Sequence, residues 1–227
     1  MPAYAYIDGF ALYHMCFRRR SAHHHLKWID LRALVSALLP DEDVELVRYY
    51  TARVGDSPDD PQRASRQDVY LRALGTVPGL VIRQGNFVRS KREVTLAAPP
   101  PGIEPRQTAW VRQEKRSDVS LATDLLIDAF DGEPTVSLII TNDSDFVEPI
   151  RIVRDRFGIR VVVISPDDRV SKRLAKVASH ARPLDHALLE TCQLPDVVID
   201  AERREIRRPA AWTTPVPTLS VPTPEER

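Results

Sequence analysis

The sequence is poor in cysteine and in long hydrophobic runs, and each shortage excludes a class of protein. Two cysteines, Cys16 and Cys192, are too few for a disulfide framework or a zinc site. No apolar run approaches the roughly 20 residues that a membrane-spanning helix needs. The sequence lacks the standard glycine-rich phosphate loops, and its first residues lack a signal-peptide pattern. We therefore expect a cytoplasmic protein with reduced thiols and no membrane partner.

Charge is balanced overall but segregated along the chain. Of the 227 residues, 43% are hydrophobic and 28% are charged, which is ordinary for a globular protein with one main domain. Residues 117–148 contain eight acidic and no basic residues, whereas 83–116 contain eight basic and three acidic ones. Residues 151–182 contain nine basic and three acidic residues. This alternation favours an acidic metal site within a surface that binds a polyanion.

Apolar runs alternate with helical periodicity, which predicts an α/β fold. The apolar runs predict strands at 3–8, 44–51, 80–84, 136–141 and 160–164. Helical spacing predicts helices from Gly9, over 31–38, 62–75, 117–130, from about 146 to 157, over 169–178 and over 184–191. Strands with continuous apolar runs are typical of a parallel sheet with helices on both faces.

Carboxylates lie where two of these strands end. Asp8 ends the first strand, and Asp143 and Asp145 follow the strand at 136–141. Asp118 opens the helix that leads into that strand. Parallel α/β sheets bind ligands beyond the carboxyl ends of their strands, and clustered carboxylates repel one another without a cation. We therefore predict one site that binds Mg²⁺ or Mn²⁺ and leaves positions open for a phosphodiester and an attacking water.

The stretch from 85 to 116 predicts a basic hairpin. Two short strand patterns, at 87–88 and 108–111, flank a proline-rich turn. The Arg-rich flanks and Trp110 suit a nucleic-acid contact, and a plain solvent-exposed insertion is equally compatible with them. Because basic residues flank the acidic block, we expect a set of them to meet the phosphates of a nucleic acid. The set comprises Arg89, Lys91, Arg92, Arg112, Lys115, Arg116, Arg169, Lys172 and Arg173.

Three stretches carry a family resemblance. Residues 7–13 (IDGFALY), 115–124 (KRSDVSLATD) and 141–146 (TNDSDF) resemble, in order and spacing, the three motifs of NYN domains. These domains form a branch of the PIN-like nucleases, and the bacterial LabA-like group is the most similar. The resemblance spans roughly 3–165. It implies a Rossmann-like PIN/NYN fold with a central parallel sheet of order 3-2-1-4-5 and a Mg²⁺- or Mn²⁺-dependent ribonuclease site.

The resemblance also implies roles for individual residues. Asp8, Asp118, Asp143 and Asp145 would bind the metal and form the catalytic site, Asp124 would support it, and Lys115 would meet phosphate. The family usually has Asn at the position of Ala11. Two functions therefore stay open, namely a metal-dependent endoribonuclease and a catalytically weak NYN domain that regulates by binding RNA or a protein.

The chain divides into a domain and a tail. We assign 1–195 to the NYN domain, with the Arg-rich hairpin inserted at about 86–114. Residues 196–227 form a charged and then proline-rich tail, with five prolines after Arg208. Such a composition predicts disorder, because it has few apolar residues to offset the entropy lost on ordering. A protein partner or a second copy of the chain is a candidate to bind through this tail.

Overall fold

A seven-stranded sheet forms the centre of the computed structural model, which describes residues 1–55 and 59–213. Its strands are β1 (Pro2–Asp8), β2 (Asp43–Ala52), β3 (Leu80–Thr95), β4 (Arg106–Lys115), β5 (Val136–Ile140), β6 (Arg160–Ser165) and β7 (His180–Pro183). Their order is β4-β3-β2-β1-β5-β6-β7, and all neighbours are parallel except β3 and β4. The five predicted parallel strands keep their predicted relative order. The full order differs from the prediction in having β4 and β7 at the two edges.

Helices cover both faces of this sheet, as predicted. They are α1 (Gly9–Leu12, continued by a π-helical turn at Tyr13–Arg18), α2 (Leu31–Leu38), α3 (Arg63–Leu74), α4 (Ser117–Asp131), α5 (Val147–Phe157), α6 (Lys172–Val177) and α7 (Ala187–Thr191). Short 3-10 turns lie at Ser21–Lys27, Ser144–Phe146 and Ala210–Trp212. The first core contains residues of α1, α2, α3 and α7, and the second contains residues of α4, α5 and α6. In the described part of the chain, no helix has the length and apolar character to cross a bilayer.

The period of two in β1 explains the two cores. Ala3, Ala5 and Ile7 lie in the first core, whereas Tyr4 and Tyr6 lie in the second. Successive side chains of a strand point to opposite faces, so a strand that is apolar throughout is buried on both. This burial places β1 at the centre of the sheet, between β2 and β5.

The predicted helices 169–178 and 184–191 start too early. The Asn142 amide donates to the Arg169 carbonyl at 3.0 Å and accepts from the Ser171 N–H at 2.7 Å, which holds these residues outside α6. The Leu184 N–H donates to the Ser165 carbonyl at 2.7 Å, so the backbone there continues the pairing of β7. In both places, tertiary hydrogen bonds override the local helical pattern.

The predicted tail boundary at 196 is also wrong. Residues 197–199 and 205–207 form a two-stranded antiparallel sheet, β8 (Val197–Ile199) and β9 (Glu205–Arg207). Ile206 and Trp212 are buried in the first core. The Trp212 ring lies 6.4 Å from Trp28 and 6.1 Å from Tyr70, between ring centroids. One aromatic anchor therefore orders a segment that lacks apolar periodicity. Residues 214–227, on which the prediction of disorder also falls, lie outside the described residues.

Replacing Trp212 by Ala should therefore destabilise the domain. Deleting a buried tryptophan side chain typically costs about 3–5 kcal/mol of unfolding free energy. Trp110→Ala is the matched control, because Trp110 is 56% exposed and surface substitutions usually change stability by no more than about 0.5 kcal/mol. Urea denaturation of both variants measures the difference. Equal stabilities would show that the Trp212 contacts contribute nothing to the fold.

Candidate active site and nucleic-acid interface

Asp8 is a buried carboxylate at the end of β1 and the N-cap of α1. Its Oδ1 accepts from the N–H groups of Phe10 at 3.0 Å and Ala11 at 2.9 Å. Its Oδ2 accepts from the Thr141 hydroxyl at 3.1 Å. Burial raises the pKa of Asp8 and the charge of Asp143 raises it further, while these three hydrogen bonds oppose the increase. Asp8 is therefore fixed in position and sensitive to negative charge nearby.

Thr141 joins the ends of β1 and β5, which are adjacent parallel strands. Besides donating to Asp8, its hydroxyl accepts from the Asp143 N–H at 3.2 Å. The Asp143 carboxylate in turn accepts from the Asp145 N–H at 2.9 Å and caps the following turn. Asp143 and Asp145 are exposed, whereas Thr141 is fully buried. Thr141 was not predicted to be a site residue. Its position directly after a buried strand and two residues before Asp143 could have indicated that role.

Asp118 completes the group from the first turn of α4. Partial desolvation raises the pKa of Asp118 to about 6, and the charges of Asp8, Glu114, Asp143 and Asp145 contribute in that order. All four predicted carboxylates therefore lie within electrostatic reach of one another. We call Asp8, Asp118, Asp143 and Asp145 the acidic cleft.

The carboxylates of the acidic cleft do not converge on one point. In residues 1–55 and 59–213, no three His, Cys, Asp or Glu side chains are close enough to hold one ion. The predicted metal site is therefore not preformed by three such side chains in the described geometry. The donor chemistry still fits Mg²⁺ or Mn²⁺, because Mg²⁺ is commonly held by one or two carboxylates, with waters and substrate phosphate as its other ligands.

Asp124 lies in a different network from the acidic cleft. Its carboxylate accepts from the Tyr50 hydroxyl at 2.9 Å and pairs with Arg83 at 3.1 Å. One turn further along α4, buried Asp128 bonds to Arg48 and accepts from the Tyr6 hydroxyl at 2.7 Å. Among the described residues, Asp124 therefore has its hydrogen bond and ion pairs outside the acidic cleft, so direct support of the cleft by Asp124 stays a prediction. Asp118 and Asp124 of the same helix thus belong to different groups of side chains.

The junction between β4 and α4 positions Asp118. The Ser117 hydroxyl donates to the Glu114 carboxylate at 2.7 Å, and Arg116 between them has a φ of 91°. A Cβ on Gly85 would lie 2.4 Å from the Glu114 carboxylate and 2.8 Å from the Lys115 carbonyl, so only glycine fits there. Lys115 itself is exposed at the end of β4. This close packing fixes the start of α4 beside the sheet.

Gly9, at the start of α1, lies where a side chain would not fit. A Cβ at Gly9 would meet the Tyr50 carbonyl at 2.5 Å and the Tyr49 ring at 2.7 Å. The absent side chain therefore lets α1 pack directly against β2.

The predicted hairpin is present and carries an exposed aromatic residue between cations. Lys91 is paired with Trp110 across β3 and β4, and Arg89 is paired with Arg112. The Arg89 guanidinium lies 4.3 Å from the Trp110 ring centroid, and the Lys91 ammonium lies 5.3 Å from it. Both distances are within cation–π range. We call Arg89, Lys91 and Trp110 the hairpin platform.

Two of the other predicted cations follow a loop that is bonded to the acidic-cleft turn. Asn142, between the cleft residues Thr141 and Asp143, holds the backbone of residues 169–171, and exposed Lys172 and Arg173 follow at the start of α6. Arg92 donates to the Gln113 side chain at 3.0 Å. Among predicted cations with a described side chain, none has an ion-pair partner in the described residues: Arg89, Lys91, Arg92, Lys115, Arg116, Arg169, Lys172 and Arg173. Unpaired cations are available to bind phosphates.

A cavity of about 340 Å³ opens beside the acidic cleft. Its rim includes Gly9 and Phe10, which directly follow Asp8, and Glu114, which raises the pKa of Asp118. Its interior reaches Trp212 of the C-terminal segment. The cavity was not predicted, because it forms where elements distant in sequence meet.

Comparison with known proteins adds a family and two relatives. The family model of the NYN domain matches residues 3–185. The chain is 27% identical, over 237 aligned positions, to the 6-hydroxy-3-succinoylpyridine 3-monooxygenase HspA of Pseudomonas putida (strain DSM 28022 / S16), covering 91% of this chain and 74% of the relative. A crystal structure of a protein of unknown function from Vibrio parahaemolyticus RIMD 2210633 matches with a TM-score of 0.48 and 16% identity, covering 81% of this chain and 93% of that one. Because the family model spans most of its length, the chain belongs to the NYN domain family, whose domain is of nuclease type.

Proposed function

We propose that this protein is a metal-dependent ribonuclease of PIN-like type that hydrolyses RNA phosphodiesters at the acidic cleft. The observation that carries the proposal is that Asp8 and Asp143 lie at the ends of adjacent parallel strands, linked through the Thr141 hydroxyl. Desolvation and the charges of the neighbouring carboxylates raise the pKa of Asp118, in the first turn of α4, to about 6. Mutually destabilised carboxylates at strand ends are what a divalent cation would stabilise. The NYN family match supports the same chemistry, since these domains generally bind RNA.

The residues of the acidic cleft would have different roles in metal binding and proton transfer. Asp8, held by three hydrogen bonds, and Asp143, held through Thr141, would be the fixed ligands of Mg²⁺ or Mn²⁺. A bound divalent cation lowers the pKa of a water and offsets charge developing on a phosphate. Asp118 is mostly ionised at neutral pH, so its carboxylate would join the ligands or accept a proton from the attacking water. Exposed Asp145 would complete the set.

A cleavage assay tests this proposal. A mixed RNA pool labelled at either end is incubated with the full chain and Mg²⁺ or Mn²⁺, and a chelator serves as the blank. We expect fragments only with the cation. Labelled fragments of intermediate length, seen with the 5′ label and with the 3′ label, would identify an endoribonuclease. Absence of fragments with either cation would contradict the proposal.

The hairpin platform would supply affinity for RNA. Trp110 is 56% exposed and lies between two cations, an arrangement that suits stacking with a base. We expect Trp110→Ala to weaken RNA binding by about 1–3 kcal/mol. A filter-binding titration measures it, with Ile103→Ala as an exposed apolar control near the turn of the same hairpin. Unchanged affinity would favour the alternative interpretation, in which the hairpin is a plain solvent-exposed insertion.

The regulator alternative depends on Ala11. The Ala11 N–H donates to Asp8, but its side chain offers no polar group to the acidic cleft, where family resemblance expects Asn. If the missing amide limits catalysis, Ala11→Asn should increase cleavage in the RNA assay. Binding of RNA without cleavage by either protein would favour the regulator.

The name of the P. putida relative raises a second candidate, oxygenation of a small aromatic compound. The cavity beside the acidic cleft favours it, because several aromatic side chains line it. An oxygen electrode tests it, with the full chain, a reduced nicotinamide nucleotide and 6-hydroxy-3-succinoylpyridine. Oxygen uptake that requires all three would support this candidate, and no uptake above the blank would argue against it.

A further inference from the structure

The cavity beside the acidic cleft has an aromatic wall. Side chains from four parts of the chain form it, and we define the wall as Tyr13, Phe17, Tyr49, Tyr70 and Trp212. Trp212 and Tyr70 meet edge to face, at 82° between their ring planes, so this end of the wall is rigidly packed. A volume of about 340 Å³ is at the small end of ligand pockets and suits one ring system with a substituent.

Four cations line the cavity, and among the described residues only Arg66 has a carboxylate partner. Arg18 lies 3.5 Å from the His14 ring nitrogen. We call the other three, Lys27, Arg63 and Arg66, the cationic cluster. Arg66 forms two bonds of 2.6 and 2.5 Å with the Asp60 carboxylate. Within the described residues, neither Lys27 nor Arg63 has a carboxylate within ion-pair distance. The Lys27 ammonium instead lies 5.3 Å from the centroid of the Tyr13 ring.

The unpaired position of Lys27 is costly for the protein alone. Burial, together with the charges of Arg66 and Arg63, lowers the pKa of Lys27 to about 8 even though Asp60 opposes this effect. A half-buried cation among other cations destabilises the folded state unless an anion accompanies it. Two further polar groups of the cavity already have partners: Gln67 bonds to the backbone of Val54 and Ala52, and the Tyr70 hydroxyl donates to the Ile29 carbonyl.

We propose that this cavity binds a small planar aromatic molecule with one anionic group, its ring against the aromatic wall and its anion beside Lys27 and Arg63. The ring would bury apolar surface against the wall, and the anion would neutralise cations that have no carboxylate partner among the described residues. Two kinds of molecule share this chemistry, namely nucleoside monophosphates and monocyclic aromatic carboxylates. The proposal shares its cavity with the oxygenation candidate but requires no oxidation, so equilibrium binding tests it separately.

Isothermal titration of the full chain distinguishes the two sources. One arm uses the four 5′-ribonucleoside monophosphates, and the other uses benzoate and pyridine-3-carboxylate. Inorganic phosphate and acetate lack the ring, and the neutral ribonucleosides lack the anion. We expect one arm to bind at least about tenfold more tightly than its ring-free and uncharged controls. No binding in either arm at millimolar concentration, or equal binding by ring-free anions, would overturn the proposal.

Variants separate a binding role of Lys27 from a structural one. Lys27→Met should weaken binding by about tenfold to a hundredfold and also raise the melting temperature of the ligand-free protein, because an unpaired cation is removed. Lys176→Met, at an exposed lysine on α6, is the matched control and should change neither. Asp143→Asn should bind the aromatic anion as the wild type does. Binding by this variant therefore tests the cavity even if the ribonuclease proposal fails. Unchanged binding by Lys27→Met would refute the assigned site.

Discussion

Replacing Asp143 by Asn is expected to reduce metal-dependent RNA cleavage about a thousandfold, because a ligand of the cation loses its charge. The fold should survive, since an Asn side chain can accept from the Asp145 N–H as Asp143 does at 2.9 Å. Removing one charge should also relieve Asp8 and Asp118, whose pKa values the Asp143 charge raises. The ligand-free variant should therefore be as stable as the wild type or slightly more stable.

Thermal melts with and without Mn²⁺ measure the binding side of this prediction. A cation that binds only the folded state raises the melting temperature by mass action. Wild type should show that increase, and Asp143→Asn should lose most of it. Asp155→Asn is the matched control, because Asp155 lies exposed on α5, paired with Arg154. If millimolar Mn²⁺ and Mg²⁺ both leave the wild-type melting curve unchanged, the metal-site hypothesis is wrong.

The pH dependence of stability offers an independent check without the metal. The pKa of Asp118 is raised from 3.8 to about 6, so the folded state binds more protons than the unfolded state between these values. This contribution to stability is present at low pH and is lost as pH rises through about 6. In Asp143→Asn the loss should be smaller, since one of the charges that raise the pKa is absent.

Replacing Arg48 by Met is expected to lower the unfolding free energy by about 3–5 kcal/mol at pH 7, since it breaks a buried ion pair. The side chains of Arg48 and Asp128 are only 13% and 6% exposed. Without Arg48, the Tyr6 hydroxyl would be the remaining partner of the Asp128 carboxylate. Burial would then raise the pKa of Asp128, so the variant should recover stability as pH falls and this carboxyl group takes up a proton.

Chemical denaturation at pH 7 and pH 5 measures this effect. Arg83→Met is the matched control, because Arg83 pairs with Asp124 but its side chain is 48% exposed, and exposed pairs contribute about 0–1 kcal/mol. The two variants should therefore differ by at least about 2 kcal/mol at pH 7. Similar losses for both variants would mean that the Arg48–Asp128 pair is not buried in solution.

The hydrophobic pattern of the sequence predicted those elements whose structure follows from the periodicity of the backbone. The apolar runs located five of the six parallel strands, and the Asp8 and Asp143 positions at strand ends followed from the rule for ligand sites in such sheets. The basic hairpin was also found from its strand pattern. The tail was mispredicted because isolated buried residues, Ile206 and Trp212, anchor its ordered part, and isolated anchors leave no periodic signal.

The sequence by itself determined the alternation of buried strands and helices and the placement of carboxylates at strand ends, because burial on both faces requires continuous apolar runs. Tertiary structure alone decided which acidic residues lie close enough to raise one another's pKa. Asp118 approaches Asp8 through the packed junction at Gly85, whereas Asp124 turns to Arg83 and Tyr50. Tertiary structure also brought Lys27 to the cavity that Trp212 lines. Such contacts join residues far apart in the chain, so their energies depend on packing that no local pattern records.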